Sequence, residues 1–259
     1  MGIVVSLLNH KGGVGKTTSA INIGAGLVEL GKRVLLIDLD PQANLTISLG
    51  IPRQKSTIYE ALRGESELTA YTHKPNLDIV TSSLDLSGAE MELINEAGRE
   101  FILRELLSQV TDDYDYILID SPPSLGLLTV NALTAARDGV LIPVQCEYLP
   151  LEGLTQLTQT IQLVQEYLNP SLRIRGVMMT MYDGRTNLSR QVVEEVRQHF
   201  PNKVFKTIIP RNIRLSEAPS FGQPINVYAP QSPGALAYKL LTAELLNGDR
   251  RNGGSEHGR

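Results

Sequence analysis

The stretch Ile3-Val4-Val5-Ser6-Leu7-Leu8-Asn9-His10-Lys11-Gly12-Gly13-Val14-Gly15-Lys16-Thr17-Thr18 decides the fold. An apolar run rich in Val, Ile and Leu leads into a glycine loop, and a helix-period stretch follows over about residues 16–30. Successive glycines let backbone N–H groups turn inward as an anion nest, and the helix N-terminus adds its partial positive charge. In such a loop Lys16 reaches the β- and γ-phosphates and the Thr17 hydroxyl ligates Mg²⁺, with Gly12, Gly13, Val14, Gly15 and Thr18 completing the cradle. The usual pattern, G-x-x-x-x-G-K-[ST], asks for glycine where this chain has His10, and the loop carries an extra lysine, Lys11, instead. The alternative is a glycine-rich turn without a ligand; the order strand, Gly-Gly-x-Gly-Lys-Thr-Thr, helix favours the phosphate loop.

Outward from the loop, residues 34–37, 77–80, 116–119, 140–144 and 177–181 form further apolar runs without polar alternation, as strands covered on both faces require. Helical stretches are predicted near 88–110, 125–136, 151–168 and 188–199, the last with Leu188, Val192, Val196 and Phe200 as one apolar stripe. This alternation implies an α/β fold, a mainly parallel twisted sheet flanked by helices and joined by right-handed crossovers. No repeat, Pro/Ser-rich linker or composition break divides the chain, so residues 1–247 read as one P-loop domain and 248–259 as a flexible polar tail.

Two acidic segments support the phosphate reading. Asp38-Leu39-Asp40-Pro41-Gln42 follows the second strand, and Asp120-Ser121-Pro122-Pro123 follows residues 116–119. In a parallel sheet both emerge at the carboxyl edge, beside the loop. There Asp120 is assigned to the magnesium shell and Asp40 to the water that attacks the γ-phosphorus, with Asp38 assisting near the metal. A lone Asp at a strand end is otherwise a turn residue or helix cap.

Composition narrows the function classes. With 42% hydrophobic and 20% charged residues, the 259-residue chain has the mix of a globular protein, and no apolar run reaches the length of a bilayer span. No signal peptide is expected at the N-terminus, and the formal match of Met1-Gly2-Ile3-Val4-Val5-Ser6 to an N-myristoylation pattern is set aside because Gly2 begins the first strand. A single cysteine, Cys146, excludes a disulfide framework, and the four histidines show no metal-ligand spacing.

The phosphate loop with its early lysine, Asp38-Leu39-Asp40-Pro41-Gln42 and Leu118-Ile119-Asp120-Ser121-Pro122-Pro123 together resemble the deviant Walker-A ATPases, specifically the ParA/Soj-type partition ATPases. The similarity continues through Met181-Tyr182-Asp183-Gly184-Arg185-Thr186-Asn187 and the segment Ile209-Pro210-Arg211-Asn212-Ile213-Arg214, and covers roughly residues 2–246. The short N-terminus is similar to the branch that lacks an added helix-turn-helix domain. What the resemblance implies is an ATP-sandwich homodimer in which Lys11 crosses to the phosphates of the other subunit and Gly12 lies where the two loops meet. Pro210 and Asn212 would lie near the adenine; read from the residues alone they are equally an ordinary loop after a strand at 204–209.

The net charge of −4 argues against coating nucleic acid by bulk charge, yet its distribution is uneven. From Arg173 to Arg214 nine Lys/Arg stand against three acids, a net +6 that leaves −10 elsewhere. Such a segment suits sequence-independent, salt-sensitive binding to double-stranded DNA, the alternative being a solvated face with scattered cations. The resemblance implies Arg185 and Arg214 as DNA contacts, with Arg190, Lys203 and Lys206 as further candidates. It also implies slow ATP hydrolysis stimulated by a ParB-like centromere-binding partner and a cytoplasmic, nucleoid-associated location. The competing reading is a MinD-like membrane ATPase or another cargo-positioning ATPase. The membrane branch wants a basic amphipathic C-terminal helix, whereas residues 235–246 carry Lys239 alone as cation, so no stable membrane insertion is expected. A reductase with an iron–sulfur cluster would need more cysteines than Cys146, and a synthetase built on the same loop would need a second substrate pocket.

Overall fold

The computed structural model describes residues 1–147 and 151–253. Seven strands form one sheet: β1 (Ile3–Leu7), β2 (Val34–Asp38), β3 (Tyr71–Lys74), β4 (Leu77–Val80), β5 (Tyr116–Asp120), β6 (Val140–Gln145) and β7 (Ile174–Thr180). Their order is β3-β4-β2-β5-β1-β6-β7, parallel throughout except that β3 runs antiparallel to β4. The helices are α1 (Lys16–Glu29), α2 (Asn44–Ser48), α3 (Ile58–Leu62), α4 (Ala89–Glu92), α5 (Ile102–Ser108), α6 (Leu127–Ala135), α7 (Leu151–Tyr167), α8 (Asn187–His199), α9 (Ile213–Glu217), α10 (Ile225–Tyr228) and α11 (Pro233–Gly253).

Strand alternation sorts the core onto two faces. Val5, Leu7, Leu36 and Leu118 pack with Ile23 and Leu27 of α1 and with Leu241 and Leu245 of α11. Val4, Leu35, Ile117 and Ile119 point the other way, toward Leu103 and Leu107 of α5 and Leu128 and Ala132 of α6. A third cluster joins β6 and β7 to α7 and α8 through Ile142, Val144, Met179, Leu157 and Val196. Every residue of β2 and β5 is buried, which is why their sequences lack polar alternation. From β1 the chain reaches β2 on one side of the sheet, whereas β6 and β7 lie on the other side. The loop after β1 therefore opens at the crevice where an open α/β sheet takes its ligand.

Several elements differ from the sequence expectation. The predicted helix over 88–110 is broken: 3-10 turns at Leu84–Gly88, Leu93–Asn95 and Arg99–Phe101 surround α4, and helix resumes only at α5. The break lies at Glu96, which is extended (ψ 130°), and Gly98, which is left-handed (φ 72°). The predicted strand at 204–209 is reduced to isolated bridges from Val204 to Val177 and from Pro210 to Tyr182. On α8 the buried face is Ser189, Val192, Val193 and Val196, whereas Leu188 is exposed. The domain boundary placed at residue 247 is not an end of structure. Helix α11 runs through to Gly253, and the Asp249 carboxylate pairs with the Arg175 guanidinium and accepts from the Tyr116 hydroxyl (2.5 Å) at the foot of the sheet. A polar composition hid an anchored helical turn. Residues 254–259, the remainder of the expected tail, lie outside the described residues.

Candidate active site

β1 delivers the chain to the sheet edge, and two left-handed glycines shape the loop that follows, Gly13 (φ 73°) and Gly15 (φ 93°). Either conformation strains a residue with a Cβ, which explains both glycines without reference to a ligand. Gly12 has no such reason: its φ is ordinary, and a Cβ there would meet nothing within 4 Å. Asn9 staples the entry to the loop, its amide donating to the Pro143 carbonyl (2.7 Å) and its oxygen accepting from Lys11 N–H (3.0 Å). Lys16 is buried at the start of α1, and its ammonium donates to the Asn9 carbonyl (3.1 Å) and, more weakly, to that of Lys11 (3.5 Å). Those carbonyls hold the lysine across the loop. Lys11, Gly12 and Gly13 are exposed, and Thr17 and Thr18 are half-buried.

Three carboxylates converge on the same edge. Asp38 and Asp120 are register partners on β2 and β5, and Leu7, the last residue of β1, is the partner of Asp120 on its other side. Both acids are buried. Burial, followed by the neighbouring Asp38, pushes the Asp120 carboxyl up to about 8, while the Thr17 hydroxyl and Lys16 ammonium pull it down. Among the described residues neither Asp120 oxygen has a donor in hydrogen-bonding geometry, the Thr17 hydroxyl favouring its charged form only from nearby. A buried carboxylate without donors is a costly arrangement unless a cation belongs beside it. Burial likewise lowers the Lys16 pKa, against the attraction of Asp120 and Asp40.

Asp38, expected near the metal, is bonded within its own segment. Its Oδ2 accepts from the backbone N–H (2.8 Å) and hydroxyl (2.7 Å) of Thr46, and its Oδ1 from Asp40 N–H (3.3 Å). Burial raises its pKa to about 6 in spite of these bonds. Asp38 thus ties the Asp40 turn to α2. Asp40 accepts from Gln42 N–H (2.9 Å) at Oδ1, and its carbonyl accepts from the Ser82 hydroxyl (2.8 Å) and Ala43 N–H (2.8 Å). Ala43 takes the left-handed conformation (φ 53°), a strain of about 1 kcal/mol for a residue with a Cβ. Asn9, Thr46 and Ser82 carry no motif, so sequence reasoning missed them; a polar residue just beyond an apolar strand is the signal that marks Asn9 and Ser82, and Thr46, inside α2, has none.

Beside the loop lies a cavity of about 830 Å³ lined by Gly15, Thr18, Tyr182, Pro210, Asn212 and Tyr238, among others. Pro210 and Asn212, which the residues alone left open, therefore border a space of the size that takes a base and ribose. Asn212 also caps α9, its Oδ1 accepting from Arg214 N–H (2.9 Å).

The residues present fit a magnesium-bound polyphosphate: an anion nest, a buried lysine, a threonine hydroxyl and an unpartnered carboxylate. Among the described residues no three His, Cys, Asp or Glu form a metal cage. That agrees with Mg²⁺, which keeps several waters and takes phosphate oxygens with one or two protein ligands. Cys146 is buried, and burial raises its thiol to about 12, so it has no thiolate chemistry.

The candidate DNA cations are carried by several separate elements. Arg185 follows β7 and lines the cavity, and Arg214 lies on α9. Arg190 stands on the first turn of α8, donating to Asn187. Lys203 and Lys206 step down the sheet edge, level with β7 rather than with its carboxyl end. All five are exposed. The +6 count overstates this face, because Arg175 is committed to Asp249 inside the protein. Arg185 pairs with Asp183 (2.7 Å), holding that carboxyl down to about 2, and Arg214 pairs with Glu217 (2.8 Å).

A family model described as an AAA domain matches residues 2–174. The chain is 52% identical over 250 residues to the sporulation initiation inhibitor protein Soj of Bacillus subtilis, covering 95% of this chain and 98% of that protein. It is 51% identical over 254 residues to the chromosome partitioning protein ParA of Myxococcus xanthus, covering 96% of this chain and 89% of that one. Among solved structures, a Mycobacterium smegmatis protein named cobyrinic acid a,c-diamide synthase, with bound ADP and magnesium, superposes with a TM-score of 0.86 at 38% identity over 96% of both chains.

Proposed function

The chain belongs to the Soj/ParA family of chromosome-partitioning ATPases, and from that premise we propose that it is a DNA-partition switch operated by Mg-ATP. One observation carries the chemistry. The buried, unpartnered Asp120 carboxylate lies at the end of β5, register partner of the last residue of β1, whose loop holds Lys16 and two left-handed glycines. A magnesium ion held there would supply positive charge to offset that of the phosphates. Thr17 and Asp120 would hold it, with Asp38 behind them fixing the Asp40 turn. The loop N–H groups and Lys16 bind and orient the phosphates, and Asp40 holds the attacking water from a backbone fixed by Asp38, Ser82 and Ala43, its carboxylate steadied by Gln42 N–H. Pro210 and Asn212 border the space for the adenine. Phosphate release from Mg-ATP by the purified chain, abolished in Lys16→Ala, tests this reading. Equal release by the two proteins contradicts it.

Dimerisation is supported by two features with no role inside one subunit. Lys11 is exposed, and Gly12 opens onto empty space. A second copy laid against the loop would receive the Lys11 ammonium at its phosphates, where an added cation offsets charge on the transferred group. DNA binding is supported by the exposed Arg185 and Arg214, with Arg190, Lys203 and Lys206 extending the surface. Each of the first two carries its own acid, so one subunit presents a modest field; pairing two subunits raises affinity through effective concentration. Hydrolysis, stimulated by a ParB-like partner, would separate the pair and release DNA. The proposed location is the cytoplasm, on the nucleoid.

The membrane branch draws less support. Among the described residues no helix is long and apolar enough to cross a membrane, and Leu241, Leu245 and Leu246 of α11 are packed into the core. Positioning of another cargo uses the same chemistry and separates from partition by the DNA test. A synthetase reading draws on the Mycobacterium smegmatis protein's name, at lower identity than the partition relatives.

A further inference from the structure

We propose that Thr180 is a positioning residue that sets the Val14–Gly15 peptide so that the phosphate nest faces its anion, and joins that nest to the base cavity. The proposal rests on the Mg-ATP reading of the site. Thr180 ends β7 and is buried; its hydroxyl donates to the Val14 carbonyl (2.8 Å), and its own carbonyl accepts from Cys146 N–H (2.9 Å). Its methyl lies 3.8 Å from the position a Cβ would take on Gly15. One side chain thus holds the oxygen of this peptide by a hydrogen bond and stands beside its glycine.

That peptide is the one in the loop most in need of holding. It sits between Gly13 and Gly15, both left-handed, and glycine crosses readily between left- and right-handed conformations. If the peptide turned over, the Val14 carbonyl would point into the nest and present its negative end to a phosphate. The Thr180 hydroxyl keeps that oxygen outside, so the N–H of Gly15 stays inside with the others. Thr180 also lines the 830 Å³ cavity, where the next residue, Met181, is left-handed (φ 54°), a conformation that residues with a Cβ rarely adopt. A base seated against residues 180–182 therefore bears on the same strand end that holds the phosphate loop.

The test is Mg²⁺-dependent binding of fluorescent ADP and ATP to the full chain and to Thr180→Val, Thr180→Ala and Thr180→Ser. Valine keeps the methyl and removes the donor, alanine removes the donor without new bulk should valine not fold, and serine keeps the donor. Thr180→Val and Thr180→Ala are expected to bind both nucleotides about tenfold more weakly, and Thr180→Ser within about threefold of the parent. Unchanged affinity in Thr180→Ala, or a Thr180→Ser variant as weak as Thr180→Ala, overturns the proposal. So does a lowered melting temperature with unchanged affinity, the mark of a residue that only packs. A parent protein that binds neither nucleotide removes the Mg-ATP reading and the proposal with it.

Discussion

Asp38 and Asp120 stand side by side as register partners on parallel strands, one with both oxygens bonded to its own loop and the other with none bonded at all. The two identical side chains have therefore divided the work. Asp38 builds the turn that carries Asp40, and Asp120 is left buried at the end of β5, at an energetic cost that a proton or a cation relieves.

That cost makes Asp120→Asn a stabilising substitution in the absence of ligand. Its carboxyl is raised from 3.8 to about 8, chiefly by burial, so the folded state holds a proton that the unfolded chain has already released. Stability then falls as pH rises between those values, and the variant loses this slope. In chelator, the melting temperature of Asp120→Asn is expected to match the parent near pH 4 and to exceed it by a growing margin as pH rises toward 8. The gain in melting temperature that Mg-ATP gives the parent should vanish. A variant less stable than the parent at pH 8 contradicts this account.

In the proposed mechanism Asp40 acts on water rather than on nucleotide. Asp40→Ala is expected to keep ATP affinity within a few-fold while turnover falls by about two orders of magnitude or more. Single-turnover phosphate release, read beside equilibrium ATP binding, separates the two effects. Normal turnover rejects the assignment.

Gly12 has no neighbour to crowd, so Gly12→Val should leave the monomer intact. Its melting temperature without nucleotide is expected to stay close to that of the parent, because a Cβ there meets nothing within 4 Å. Sedimentation with a nonhydrolysable ATP analogue should show dimer for the parent and monomer for the variant. A dimer in both means that the two loops do not approach each other at this residue.

Arg185→Glu and Arg214→Glu should each weaken DNA binding uniformly across sequences and lower the salt slope by about 1 for every phosphate the protein ceases to neutralise. Lys203 and Lys206, lower on the sheet edge, should matter less. Binding that persists at moderate salt in the doubly substituted protein means the surface lies elsewhere.

The phosphate loop and the doubly covered sheet were legible because their signals are local. Glycine spacing and unbroken Val/Ile/Leu runs survive without tertiary information, and β1, β2, β4, β5, β6 and most of β7 followed from them. β3 was not legible, since Tyr71-Thr72-His73-Lys74 is a polar edge strand that exists only by pairing with β4. The helix predicted over 88–110 failed because periodicity ignores a single left-handed residue, Gly98. The turn at Asp249 failed for the opposite reason: its polar residues read as a tail until Arg175 and Tyr116, distant in sequence, supplied partners. In the candidate site, the residues proposed to meet phosphate carry a motif, and the groups packed behind them, Asn9, Thr46, Ser82 and Thr180, do not. Each works through an element far along the chain or through the three-dimensional course of a turn.

The central claim is that nucleotide state controls DNA residence, and it is tested most directly by measuring DNA retention of the one protein with no nucleotide, ADP, ATP and a nonhydrolysable analogue, all with Mg²⁺ at fixed moderate salt. Strong retention is predicted with the analogue, retention that decays as phosphate is released with ATP, and weak retention with ADP or without nucleotide. Equal retention in all four states, or binding to anionic vesicles in place of DNA, contradicts the claim.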